Sequence, residues 1–182
     1  MSELKRTVRR AANGDEEAAG SLFDNYYPRV FRYALGKLAR PEDAEDVAAE
    51  TFARVLRDLD RFKWRGGGFE AWLFRIASNL IVDHVRAAQR ERAEDVTNEV
   101  LDHATPEQAV LLSETQTELG RVVDRLGDDQ KEVVLLRFAA GLDTLETGKA
   151  MGRKANAVRQ LQHRALENLR QMMSEETGTP WR

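Results

Sequence analysis

Apolar side chains recur at three- and four-residue spacing along nearly the whole chain, and no segment alternates as a strand does. That property commits the chain to an all-α fold. Ala18, Ala19, Leu22, Phe23 and Tyr26 share one face behind Asp15, which is placed to cap their helix. Pro28 suits the first turn of a new helix carrying Val30, Phe31, Ala34, Leu35 and Leu38. Pro41 opens another, with Ala44, Val47, Ala48, Phe52, Val55, Leu56 and Leu59 as its stripe. Its first turns hold Glu42, Asp43, Glu45 and Asp46, at the positive end of the helix dipole.

Three consecutive glycines, Gly66, Gly67 and Gly68, cannot sit inside a stable helix, so Phe62 to Gly68 is expected to be a loop. A long helix then resumes through Phe69, Trp72, Leu73, Ile76 and Leu80 to about Val85. Residues 87–106 hold only Val96, Val100 and Leu101 as large apolar residues, which reads as an acidic flexible linker. The chain thus divides into two small helical domains, 1–90 and 107–173, joined by a linker over 91–106 and followed by a tail at 174–182.

In the second domain Thr105 and Pro106 start a helix with Leu112, Thr115, Leu119, Val122 and Leu126 inward, ended by Gly127. Asp128 or Asp129 caps the next, which carries Val133, Val134, Leu136 and Phe138 and closes near Gly141. Asp143 and Glu146 fit a capping box for a short helix ending around Gly152. A last helix places Val158, Leu161, Ala165, Leu169 and Met172 on one stripe. A short helix, a glycine-containing turn and a basic amphipathic helix make a helix-turn-helix pattern.

Composition narrows the function. The 182 residues contain no cysteine, excluding disulfides, thiolate metal sites and thiol nucleophiles. His84, His103 and His163 are scattered without metal-ligand spacing, so no metal and no cofactor is expected. No apolar run reaches the roughly 20 residues of a membrane span, and MSELKRTVRR lacks the apolar core of an export signal. A soluble, cytoplasmic protein is expected. No nucleophile–base pair or metal-ligand spacing supports an enzyme.

The net charge of −3 conceals a segregation. Residues 41–60 carry a net −5 and residues 91–118 a net −7, whereas 62–90 carry +3 and 149–170 carry +5. Local charge, rather than the sum, selects partners. On the last helix Asn156, Arg159, Gln160 and His163 face outward near the start, where a recognition helix reads base edges. Arg153, Lys154 and Arg164 suit phosphates. A solvated basic helix in a bundle would show the same charges, and the preceding short helix and turn favour DNA. Lys63, Trp64 and Arg65 beside the glycines interleave cations with an aromatic, as unpaired bases require. Arg75, Asn79, Asp83 and Arg86 continue as one polar stripe, a pattern that a plain exposed face also gives. Trp72 reads as core rather than contact.

The runs Asp43-Ala-Glu-Asp46-Val-Ala-Ala-Glu50-Thr-Phe52, Arg65-Gly66, Trp72-Leu-Phe-Arg-Ile-Ala-Ser-Asn79 and Asp83-His-Val-Arg86 resemble region 2 of an extracytoplasmic-function (ECF) sigma factor of bacterial RNA polymerase, in the sigma-70 family. Gly152 through Val158 to His163-Arg164-Ala165, with Leu169-Arg170, resembles the helix-turn-helix of region 4. The resemblance implies a non-enzymatic subunit that binds core RNA polymerase and directs promoter recognition, DNA melting and transcription initiation. It places polymerase docking at Asp43, Asp46, Glu50 and Arg54. It assigns the melted minus-ten element to Lys63, Trp64, Arg65, Arg75, Asn79 and Arg86. The minus-thirty-five duplex falls to Arg153, Lys154, Asn156, Arg159, Gln160, His163 and Arg164. An anti-sigma factor is a further candidate partner. The alternative reading is a stand-alone helix-turn-helix regulator that works without polymerase; residues 1–92 offer it no evident dimer seam. Three departures stand out. Ala49 replaces a frequent Gln, Gly148 replaces an Ala at about 1 kcal/mol of helix propensity, and Lys154 replaces a capping Ser at about 1 kcal/mol. The last two are expected to soften region 4.

Overall fold

The computed structural model describes residues 2–38, 40–64, 67–94 and 114–177, and they are helical with no strand among them. The N-terminal unit consists of α1 (Glu3–Ala12), α2 (Glu16–Leu38), α3 (Pro41–Asp58), a 3-10 turn (Leu59–Arg61) and α4 (Gly68–Glu94). The C-terminal unit holds α5 (Glu114–Asp124), α6 (Asp128–Val134), a wide π turn (Leu135–Ala139), α7 (Thr144–Ala150) and α8 (Ala155–Thr177).

The local signals act as their chemistry requires. The Asp15 carboxylate accepts the Ala18 N–H at 3.0 Å and binds Arg10 at 2.7 Å, so one residue caps α2 and ties it to α1. Pro41 opens α3 at the first helical turn. Asp143 and Glu146 form a complete capping box at α7, each carboxylate accepting the other's backbone N–H at 2.7 Å.

Several elements differ from the sequence expectation. Helix α2 runs unbroken through Pro28, because Leu22, Tyr26, Val30 and Tyr33 form one buried stripe across it. Packing on both sides of the proline outweighs the lost backbone hydrogen bond. Helix α4 continues past Val85 to Glu94 through good helix formers, so residues 87–94 are helix and not linker. Helix α8 extends to Thr177, into the stretch read as tail. Gly127, rather than an aspartate, holds the N-cap position of α6. Leu119, expected inward, is 47% exposed. Phe138 is 60% exposed: the π turn inserts an extra residue and rotates it outward, while Leu135 and Leu136 stay buried. The linker from 95 to 106, the Thr105–Pro106 cap and Leu112 lie outside the described residues.

Two buried clusters result. One surrounds Tyr33, Phe69, Phe74, Leu22 and Leu73 in the N-terminal unit and also takes in Leu135, Leu136, Ala140 and Leu142. The other is small and joins α5, α6 and α8 through Val122, Leu126, Val133, Val134, Val158, Ala165 and Leu169.

Candidate nucleic-acid interface

Between the end of α3 and the start of α4 lies an open cleft of about 370 Å³. Its walls combine the rings of Phe62 and Trp72 with the cations of Arg61, Lys63, Arg75 and Lys149. The rings form a ledge, with Phe62 and Trp72 centroids 4.9 Å apart, Phe62 and Trp64 5.3 Å, and Phe69 and Trp72 6.0 Å. Trp72 is therefore both core and wall: it packs on the buried cluster and lines the cleft. Trp64 is 37% exposed, with the Lys5 ammonium 5.8 Å from its ring. Gly67 and Gly68 have φ of 110° and 68°, conformations that only glycine adopts freely, which turn the chain sharply into α4. Flat apolar faces beside cations are the materials for holding an unstacked base and its phosphate.

Arg75 and Lys63 line this cleft, both exposed, and Trp64, also exposed, packs against its Phe62 wall. Asn79 and Arg86 are exposed farther along α4, outside the described lining. Arg65 lies outside the described residues.

The outer face of α8 brings the second group together. Arg153, Lys154, Asn156, Arg159, Gln160, His163 and Arg164 are all exposed. Arg159 donates to the Asn156 side chain at 2.7 Å, so the two present one polar edge. Arg153 pairs with Asp129 at 2.5 Å, and His163 meets Glu167 at 3.3 Å. The turn ahead of α8 is closed by the Arg153 N–H donating to the Gly148 carbonyl at 2.7 Å. A β-carbon at Gly148 would stand 2.7 Å from the Arg153 carbonyl oxygen. The glycine that looked like a propensity defect is what lets the two helices approach.

On α3, Asp46 and Glu50 are exposed and Arg54 pairs with Glu50 at 2.7 Å. Asp43 behaves differently. It is half-buried, 3.3 Å from His84 and 3.8 Å from Arg40, and braces α3 against α4.

Residues 22–91 match the family model for sigma-70 region 2, and residues 122–171 match that for sigma-70 region 4. The ECF RNA polymerase sigma factor BldN of Streptomyces coelicolor is 37% identical, over 96% of this chain and 67% of its own. The ECF RNA polymerase sigma factor ShbA of Streptomyces griseus is 36% identical, over 92% of this chain and 94% of its own. The chain belongs to the ECF sigma factors of RNA polymerase. Its fold is shared with CnrH, solved with the cytosolic domain of CnrY, at a TM-score of 0.73, 24% identity and coverage of 93% and 96%.

In this sigma factor the two regions touch, through residues that sequence reasoning missed. Arg29 of α2 binds Glu70 at 2.7 Å and donates to the Ala140 carbonyl of region 4 at 2.6 Å. The Tyr33 hydroxyl donates to Glu132 of α6 at 2.6 Å, and Lys37 meets the same carboxylate at 2.7 Å. Arg75 donates to the Lys149 carbonyl at 2.8 Å. Glu70 of α4 and Glu146 of α7 act on each other's ionisation. Burial, then the Glu70 carboxylate, push Glu146 up to about 7. Burial alone would raise Glu70 too, but Glu146 and the Arg29 guanidinium hold it below its ordinary value. Burial, followed by Glu132, raises the Tyr33 hydroxyl far above the usual phenol range. The visible signal for these contacts was weak: charged residues on the buried side of α2, whose partners lie about a hundred positions away.

Proposed function

We propose that this sigma factor docks on core RNA polymerase through the exposed acidic face of α3, captures the melted minus-ten strand in the α3–α4 cleft, and reads the minus-thirty-five duplex with α8. As an ECF sigma factor it binds core polymerase and directs promoter recognition, melting and initiation. The observation that supports the division of labour is the cleft itself, where aromatic faces and cations converge on a space fit for single-stranded bases. Asp46 and Glu50 carry the docking face; Asp43 acts behind it as a brace. Lys63, Trp64, Arg65 and Arg75 serve the minus-ten strand, with Asn79 and Arg86 carrying it along α4. Asn156, Arg159, Gln160 and His163 read bases while Arg153, Lys154 and Arg164 grip phosphates. The units so employed are residues 1–90 and 107–173.

The subunit works in the cytoplasm without catalysis of its own; among the described residues no helix is long and apolar enough to cross a membrane. An anti-sigma factor belongs to the proposal. A fold neighbour from Bartonella quintana, 20% identical at a TM-score of 0.67, was solved with the anti-sigma factor NepR. Run-off transcription by core polymerase on a promoter library, with and without this protein, tests the reading. Specific transcripts are expected only with it. Specific duplex binding in the absence of polymerase, with no gain in transcription, would favour a stand-alone regulator.

A further inference from the structure

Region 2 carries a second basic surface, on α1, that the sites already described do not use. Lys5, Arg6, Arg9 and Arg10 are all exposed there, while Leu4, Val8, Ala11 and Ala12 turn the other side of the helix onto the buried cluster. At about 100° per residue, Lys5 and Arg9 share one flank, a single turn and about 6 Å apart along the axis. Arg6 and Arg10 lie roughly 100° farther round, on the side opposite the core.

The two pairs are engaged differently. Arg10 binds Asp15 at 2.7 Å and Glu17 at 3.0 Å, closing the turn between α1 and α2. Lys5 and Arg9 meet no carboxylate among the described residues. The Lys5 ammonium lies instead over the Trp64 ring, 5.8 Å from its centroid. Trp64 packs on Phe62, with centroids 5.3 Å apart, and rests against Gly68, where an added β-carbon would stand 3.4 Å from Cζ3 of the indole. Phe62 is a wall of the cleft. Helix α1 also packs on the 3-10 turn, whose last residue, Arg61, lines the same cleft. One run of contacts thus leads from the cleft, across two aromatic rings, to the Lys5–Arg9 flank.

We propose that the Lys5–Arg9 flank of α1 is a phosphate track that continues the cleft, gripping the backbone of the melted strand where it leaves the Phe62–Trp64 ledge.

Single strands are held by ring faces for the bases and a line of cations for the backbone. A strand longer than the cleft must emerge from it, and past Trp64 the next charges it meets are Lys5 and Arg9. The acids nearby do not cancel them: Asp58 is engaged with Arg57 at 3.3 Å, which leaves Asp60 in the turn against Arg61, Lys63 and the α1 flank. A cation over an exposed ring is held weakly enough to move onto a phosphate, and its departure uncovers the indole for stacking. An acidic protein segment would satisfy the same charges but has no use for the rings that run into them, so the ledge favours nucleic acid.

The proposal rests on the reading of the cleft as the minus-ten site, and the experiment lets either fail alone. The full chain is titrated, by fluorescence anisotropy, with A/T-rich single-stranded oligodeoxynucleotides of roughly 5 and roughly 15 nucleotides. On the long strand Lys5→Gln with Arg9→Gln should bind about tenfold more weakly than the parent at low salt. The slope of log affinity against log salt should fall by about 1.4, the share of two phosphates at about 0.7 each on single strands. On the short strand, which the cleft accommodates by itself, the same variant should bind like the parent. Lys5→Arg with Arg9→Lys keeps both charges and should restore the long-strand affinity. Glutamine is a good helix former and both positions are exposed, so the fold is retained, which circular dichroism checks. Parental affinity of the glutamine pair on the long strand overturns the track. So do losses as large from Arg6→Gln as from Lys5→Gln on both lengths, which would mean diffuse attraction. Parental strand binding with weakened binding of core polymerase assigns the flank to an acidic protein surface and likewise overturns it. Arg61→Gln with Lys63→Gln tests the cleft itself: short-strand affinity that ignores this pair, while the α1 pair still loses the long strand, overturns the cleft reading and supports the track.

Discussion

Region 2 and region 4 are built on different principles. Region 2 folds around fully buried aromatics, with Tyr33 and Phe74 edge to face at 5.6 Å and Phe69 against Tyr26 at 5.3 Å. Region 4 gathers a small aliphatic cluster without a buried aromatic among the described residues. It also places Leu135, Leu136, Ala140 and Leu142 in its neighbour's core. A large aromatic side chain removes far more apolar surface from water than a valine does. Region 2 thus holds the larger core, and region 4 is a light unit whose stability is partly held by packing on it.

The sharpest way to break this contrast is core truncation. Phe74→Ala empties a fully buried site and should cost about 3–5 kcal/mol in chemical denaturation. Val133→Ala, equally buried in region 4, should cost only about 2 kcal/mol, since fewer atoms are lost. The Phe74 variant should also loosen region 4, because Leu135 and Leu136 belong to the same cluster. Equal costs for the two variants would show that region 4 is no lighter than region 2.

The next effect concerns what each surface of region 2 does. Reversing Asp46 and Glu50 to Lys should cost several kcal/mol of affinity for core polymerase by placing like charges against a basic partner. Thermal unfolding should barely move, as both side chains are exposed. Asp43→Asn should do the reverse, lowering stability through its lost contacts with His84 and Arg40 while polymerase affinity holds. Titration of core enzyme with labelled variants separates these outcomes. Parental affinity in the double reversal would remove α3 from the docking face.

Most of the fold was legible because its signals are local. The Asp15 cap, Pro41 at the start of α3 and the Asp143–Glu146 box each act within a few residues and stand as read. Pro28 misled because tertiary packing overrode a local preference: the stripe from Leu22 to Tyr33 is buried on both sides of it. Phe138 misled because a π turn changes the period that stripe-reading assumes. In the candidate site, Lys63 and Arg75 line one cleft, and Trp64 packs against its Phe62 wall; the roles that the resemblance gave them remain proposals. Arg29, Glu70, Glu132 and Glu146 were beyond reach, for their meaning lies in pairings between distant helices that no periodicity encodes.

Gly148 sharpens the contrast within region 4. By helix propensity, Gly148→Ala should gain about 1 kcal/mol. The added β-carbon, however, meets the Arg153 carbonyl at 2.7 Å, against backbone that closes the turn. Overpacking of this kind costs about 1–3 kcal/mol, so a net loss is expected in the thermal transition of region 4. A net gain would mean that the turn relaxes freely.

The smallest effect separates reading from gripping on α8. Arg159 and Asn156 share a hydrogen bond at 2.7 Å and form one edge near the helix start, where side chains reach bases in the major groove. Arg164 follows five residues later, about 140° around the helix and so off that edge. Arg159→Ala should cost about 1–3 kcal/mol on the preferred minus-thirty-five duplex and flatten discrimination at one base pair. The lower end is expected, because Lys154 provides no side-chain cap to fix the first turn. Arg164→Ala should weaken all sequences alike and reduce the slope of log affinity against log salt by about 0.9, the share of one phosphate. Fluorescence anisotropy with the full chain on a duplex lacking a minus-ten element keeps region 2 out of the measurement. Losses from Arg159→Ala that are equal on every sequence would leave α8 a grip without a reading edge, and would move specificity to the region 2 cleft.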